Sequence, residues 1–406
     1  MNRNRRQHRK NPSDWLLGLF IYITVVTFFS GTYTGLQNVA LYGLTPALFL
    51  IALIQYRQNL RKINTEIGLY SLFIGLSLLS FFYPNYSATS FTNDFPKMIA
   101  SFMCAFIALS FNQDDRFERF FHFGFITSIV LLIFFEYRVG NFSLIGFINP
   151  TVSRGDFLNN ANYYSYISLF ANFSLFRLHL LYKNRFTYLG LLLLPPLMLA
   201  MSFVTQSRSG LLFILIINVI FWYWVVNSAH QKSYIKVLRF LSLGIITIFL
   251  AIQFIGVYSQ SSIRGRVEAT DRDARGALVE LGLEAFMDHP FLGLGLGQFP
   301  RYSKTGLFTH NTYVEALAEH GFFIGGVVIL VFVLPLFKAT SLLRRFSKNQ
   351  FIKLNFLFFF IFLFYNNVFV FYKASSAMMF FFLMIGIQQR LEKKHSANQK
   401  SILNVP

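Results

Sequence analysis

Acidic side chains are scarce in this chain, 17 aspartates and glutamates in 406 residues against 36 lysines and arginines. Charged residues of both signs make up 13% of it while 54% is hydrophobic, a balance that excludes a soluble globular fold. Cysteine is almost missing. Cys104 stands alone in an apolar run, which excludes an internal disulfide and any thiolate-based metal site. His, Cys and carboxylate residues nowhere gather at convincing metal-ligand spacing, so no metal and no cofactor is expected. The net charge of +19 is scattered in short clusters between apolar runs rather than gathered in one patch, and no nucleic-acid partner is expected.

What the chain has in abundance is long apolar stretches, and the fold class they define is an all-α polytopic membrane protein set in a lipid bilayer. Crossing the hydrocarbon core takes about 20 apolar residues, and about twelve transmembrane helices can be marked. They run over 15–34, 36–54, 67–83, 96–111, 120–137, 163–182, 186–204, 210–229, 238–257, 311–337, 353–371 and 374–390. The chain then divides into a basic tail (1–14), nine spans (15–257), an external loop (258–310), three spans (311–390) and a second basic tail (391–406). The basic run before the first span reads as the flank of a signal anchor.

Placing both termini in the cytoplasm gathers Arg57, Arg61, Lys62, Arg116, Arg119, Lys183, Arg185, Lys338, Arg344, Arg345 and both tails on that side, as positive-inside topology requires. Lys97, Arg138, Arg154, Arg208 and Lys373 stay scattered on the other side. The external segment 258–310 is rich in both charge signs. Within it a helix is expected from about Asp273 to Asp288, with Thr270 and Asp273 at capping spacing and Pro290 ending it. Leu278, Leu281 and Ala285 form its apolar stripe, so it should lie along the membrane surface or on the bundle. A second external segment, Arg138 to Asn162, reads as a loop able to fold over a site.

His310 opens the tenth span, where free N–H groups disfavour a positive imidazole and favour a proton-accepting one. Asn311, Glu315 and Glu319 follow at intervals of four on one helical face, and carboxylates at membrane depth are costly enough to be functional by default. Arg208 sits in the turn TQSRSG, flanked by Ser207 and Ser209, where a planar guanidinium suits a phosphate. Arg275 heads the external helix; taken alone it reads as an arginine paired with a neighbouring acid. GLGLG at 293–297 lacks a preceding strand and is expected to be a tight turn. Asp271 and Asp273 form a DxD pair of the kind that holds a metal in many glycosyltransferases, although helix capping explains them more simply.

In order and spacing, SRSG at 207–210, Arg275 ahead of HPFLGLGLGQF at 289–299, and HNTYVEALAEHG at 310–321 together resemble the O-antigen ligase and O-antigen polymerase superfamily. The resemblance covers roughly residues 200–335; Val279 departs from it where relatives often carry an aromatic residue. It implies a GT-C-like membrane glycosyltransferase of the bacterial cytoplasmic membrane, with its site on the external face. The donor implied is a polyprenyl (undecaprenyl) diphosphate-linked glycan and the acceptor a saccharide or glycolipid. Arg208 and Arg275 would bind the diphosphate, His310 would act on the acceptor hydroxyl, and Asn311 and Glu319 would support it from behind. Transfer would be metal-independent and inverting. A ligase, using a lipid A core sugar, is the preferred reading, and a polymerase extending another lipid-linked repeat is the alternative. A transporter or flippase for lipid-linked sugars is the more distant one; Pro195 and Pro196 would supply the broken helix it needs.

Overall fold

The computed structural model describes residues 12–31, 35–55, 64–83, 86–112, 115–142, 157, 160–205, 207–226 and 274–403. Among these residues there are helices and connectors and no strand. The helices are α1 (Pro12–Ser30), α2 (Gln37–Gln55), α3 (Thr65–Phe82), α4 (Ala88–Phe111), α5 (Asp115–Val139), α6 (Ala161–Tyr182) and α7 (Arg185–Val204). They continue with α8 (Arg208–Ile220, extended by a π-helical turn Phe221–Val225), α9 (Ala274–Asp288), α10 (Phe299–Tyr302), α11 (Thr312–Arg345), α12 (Gln350–Tyr365) and α13 (Ser375–Leu403).

Local chemistry sets where several of them begin. Asn64, Asn160, Ser207, Asn311 and Asn349 each turn a side-chain oxygen onto an N–H of the first turn, satisfying donors that have no partner within the helix. Among the described residues, seven helices are long and apolar enough to cross a membrane: α1 to α5, the Arg185–Ser202 part of α7, and α11. The helices α8 and α12 are apolar but shorter. Together these apolar helices make the chain a multi-pass membrane protein. Of the expected spans, 238–257 lies outside the described residues, as do Arg264, Arg266, Asp271, Asp273, the Thr270 cap, Arg154 and most of the loop from Arg138 to Asn162.

The most enclosed helices are not the most apolar ones. Every residue from Tyr164 to Leu178 of α6 and from Ser376 to Gln388 of α13 is buried. The helix α6 carries Asn162, Ser165, Ser168, Asn172, Ser174 and Arg177, a set that a lipid-facing helix could not carry cheaply. Around it α5, α7, α8 and α12 pack directly, while α13 lies against α4 and α12. Aromatic rings fill the seam between them: Phe170 of α6 stacks on Phe380 of α13 at 4.7 Å, and Phe358 of α12 meets Phe380 at 5.3 Å.

Charge sorts to the two ends of the bundle. At one end Arg116 pairs with Asp14, Lys338 with Glu66 at 2.6 Å, and Arg177 with Glu118 at 2.5 Å. Arg390 joins the same end, paired with Asp115 and Glu118. At the other, the end of α1 meets the start of α6 where Tyr163 donates to the Phe29 carbonyl at 2.7 Å, and Tyr83 and Tyr86 beyond α3 donate to the Leu292 and Leu296 carbonyls.

Two expectations are corrected here. Pro195 and Pro196 do not break their span, because α7 runs continuously through both. The expected span 311–337 is itself broken, at Gly321, whose φ of 66° and ψ of −172° interrupt α11. The segment 289–297 crosses that break. Its Leu294 and Gly295 N–H groups donate to the Ala318 and Glu319 carbonyls at 2.9 and 2.7 Å, and the Phe322 N–H beyond the break donates to the Pro290 carbonyl at 2.7 Å. Gly293, Gly295 and Gly297 all have positive φ, and a Cβ at Gly293 would meet the Glu319 carbonyl carbon at 2.4 Å. GLGLG is therefore a turn that replaces the helix's missing hydrogen bonds.

Candidate active site

The helix expected over Asp273–Asp288 is described as Ala274–Asp288, Asp273 lying outside the described residues. Its stripe packs as expected on the bundle: Leu278 and Ala285 are buried with Phe299 and Ala318, and Leu281 packs against them. Gly282 lies so close to Thr309 and Val314 that a Cβ there would meet Thr309 Cγ2 at 2.9 Å. This fixes α9 against the segment that carries His310.

Three helices begin together at this end. Arg275, in the first turn of α9, donates to Asn162 Oδ1 in the first turn of α6 at 3.5 Å. Ser165, one turn further along α6, donates to Ser207 Oγ, the cap of α8, at 2.5 Å. Gly210 of α8 permits that approach, since a Cβ there would stand 2.5 Å from Ser165 Oγ. Arg208 is the first residue of α8; the placement of its side chain lies outside what is described. The N-termini of α6, α8 and α9 thus converge, and the free N–H groups and dipoles of helix starts favour an anion.

His310 belongs to a fourth helix start. It stands two residues before α11, half-buried, with φ of 58°. Asn311 caps α11, accepting from Tyr313 and Val314 at 2.9 and 3.2 Å, and its amide donates to Asn367 Oδ1 at 3.2 Å. Thr312 donates to the Phe369 carbonyl at 2.7 Å and accepts from the Phe371 N–H at 2.9 Å. The His310 segment is thereby tied to the connector between α12 and α13. Tyr365, the last residue of α12, sets its ring against Phe213 of α8 at 4.8 Å and against Phe371 at 5.5 Å. One end of α12 therefore joins the His310 segment to α8.

Behind His310 sits a buried ionic cluster that the sequence reading missed. Lys373 Nζ lies 2.6 Å from Glu319, 2.9 Å from Asp94 and 3.6 Å from Glu315. Tyr372 donates to Glu319 at 3.2 Å, and Lys97 pairs with Asp94 at 2.8 Å. Burial opposes the charge of Lys373, but Glu319, with Asp94 and Glu315, outweighs it and holds the ammonium well above the ordinary lysine range. Glu315 and Glu319 do share a face, and the residue that reaches toward His310 is Glu315: its Oε2 accepts the Thr309 N–H at 2.8 Å. Glu319 is engaged instead by Lys373 and Tyr372. In the sequence Lys373 reads as a loop charge, and nothing marks Asp94 as its partner. The available signal was that Lys373 is the lone charge between two of the most apolar runs and Asp94 the lone acid of α4.

Such a molecule is a multi-pass membrane protein with helix starts, two candidate arginines and a histidine at one end, the outline of a glycosyltransferase-like membrane enzyme. A family model described as O-Antigen ligase matches residues 193–331, from the middle of α7 into α11. That segment holds Arg208, Arg275 and His310, and its similarity to O-antigen ligase supports the superfamily resemblance read from the sequence motifs. No curated protein matches the chain.

Proposed function

We propose that the protein transfers a glycan from polyprenyl diphosphate to a saccharide acceptor, without a metal and with inversion, on the external face of a bacterial cytoplasmic membrane. Both termini lie in the cytoplasm. The observation that carries this reading is the convergence of the α6, α8 and α9 starts, with Arg208 and Arg275 in the first turns of two of them, beside the segment that holds His310.

Arg208 and Arg275 hold the donor diphosphate, aided by the helix N-termini, and neutralise the charge that builds up as it leaves. His310 takes the proton of the acceptor hydroxyl. The acceptor oxygen then forms its bond to the anomeric carbon while the bond from that carbon to the diphosphate oxygen breaks, the polyprenyl diphosphate departing with the electron pair. Attack opposite the leaving group inverts the centre. Asn311 supports His310 by fixing the start of α11, and Glu319 does so through Lys373.

Ligation to a lipid A core sugar is the preferred acceptor chemistry, and polymerisation onto another lipid-linked repeat is the alternative. The transporter reading loses its proposed break at Pro195 and Pro196, where α7 is continuous, although α11 is broken at Gly321. The test is reconstitution in detergent with a polyprenyl diphosphate glycan and each acceptor in turn. Loss of general-base catalysis in His310→Ala should lower transfer by about 10²- to 10⁴-fold while donor binding and folding persist. Parental transfer by His310→Ala defeats the assignment, and transport without product defeats the enzyme reading.

A further inference from the structure

His310 is held in a left-handed backbone conformation that a non-glycine residue adopts only under constraint, so something must hold it there. The residues before it are held by one cluster. Phe308 lies under Lys373 at 5.3 Å and under Lys97 at 5.8 Å, both ammonium groups facing its ring. Thr309 gives its N–H to Glu315 and its hydroxyl to the Asn311 carbonyl at 2.9 Å, so the chain is pinned immediately before and after His310. Glu315 is fully buried, and its other oxygen faces Lys373. Lys373 thus touches both anchors of the limb that leads to His310.

We infer that Glu315, held by Lys373, is a positioning residue: it sets the backbone from Phe308 to His310 so that the imidazole faces the acceptor hydroxyl. This rests on the catalytic role proposed for His310. Carboxylate Oε2 is the atom that matters, because it carries the hydrogen bond to Thr309, while Oε1 faces the lysine ammonium at 3.6 Å, longer than a hydrogen bond. Glu315→Gln keeps an oxygen for the Thr309 N–H. Glu315→Asp keeps the charge of the cluster but withdraws the carboxylate by one methylene, and Glu315→Leu removes both.

Two readouts test this. The first does not need activity: the rate at which diethyl pyrocarbonate acylates His310, followed by mass spectrometry against exposed His289 in the same sample. Glu315→Asp and Glu315→Leu should change the His310 rate and leave His289 unchanged, and Glu315→Gln should restore the parental ratio. An unchanged His310 rate in Glu315→Asp overturns the inference. The second is glycan transfer. Misplacing a reacting group by about 1 Å costs on the order of a hundredfold, so kcat should fall by about that factor in Glu315→Asp with the donor KM held. Added to His310→Ala, the same change should cause no further loss, because the two act through one group. A multiplicative loss, or a parallel loss of donor binding, means a general structural role and overturns the inference. If His310→Ala retains parental transfer, the catalytic reading fails instead, and the acylation rates still report on the backbone.

Discussion

Gly321→Ala should be the most damaging of the simple glycine substitutions around α11, and its cost can be worked from the backbone. A φ of 66° with ψ of −172° lies in territory that only glycine occupies readily, so alanine there is strained by about 1–3 kcal/mol. The new Cβ would stand 2.3 Å from the carbonyl carbon and oxygen of Phe291 and 2.5 Å from the Leu292 nitrogen. Those are backbone atoms and cannot rotate away. The crossing segment must shift, endangering three hydrogen bonds worth about 1 kcal/mol each net, and the total comes to about 3–6 kcal/mol. Two other glycines calibrate the reasoning. Gly306 has a φ of 71° but open space around its Cβ position, so alanine there should cost about 1 kcal/mol from strain alone. Gly326 lies in the continuous part of α11 with open space around it, and alanine should stabilise by about 0.5–1 kcal/mol. Thermal unfolding midpoints of the three purified variants in detergent, against the parent, give the order directly. If Gly321→Ala melts no lower than Gly306→Ala, the account of the crossed break is wrong.

Other outcomes follow from the site. Arg208→Lys and Arg275→Lys keep the charge but lose the planar fork, and each should raise the donor KM by about ten- to a hundredfold in a transfer assay; unaltered kinetics in both would remove the diphosphate clamp. Gly210→Val drives a side chain into Ser165 and Ser202, whose hydroxyls stand 2.5 and 2.9 Å from the position of a Cβ. It should lower stability by about 1–3 kcal/mol and weaken donor binding by prising α8 from α6; a donor affinity equal to the parent's would separate that contact from the site.

Much of the bundle can be read from hydropathy alone, because α1 to α5 and α11 each carry a window long and apolar enough to cross a membrane. The helix α9 was legible for a different reason, its stripe of Leu278, Leu281 and Ala285 being buried against α10 and α11. Gly321 was not. In the sequence it is one more glycine entering an apolar run, and the hydrogen bonds that make a break tolerable come from residues 290–295. Pro195 and Pro196 misled for the converse reason, since they look like breakers yet lie in a helix held on both sides by α6 and α8. The candidate arginines and His310 were found because each sits at a helix start, where residue types are locally meaningful. Lys373 was missed because its partners Asp94, Glu315 and Glu319 come from two helices far from it in sequence, and only packing reveals that a loop lysine is buried.

The enclosure of α6 bears on how the protein is made. Arg177, near the end of α6, and two buried asparagines make that helix costly to partition into lipid on its own. Emerging from the ribosome, α6 can lean on α5, whose Glu118 neutralises that arginine. The Phe380 ring that lines its other flank arrives with α13, some two hundred residues later. Until then α6 has α5, α7, α8 and α12 beside it but lacks the cover that Phe380 gives, a nascent state suited to capture by the insertion machinery or a membrane chaperone. Ribosomes stalled before α13 should therefore hold a chain that is inserted yet still open to proteolysis along α6.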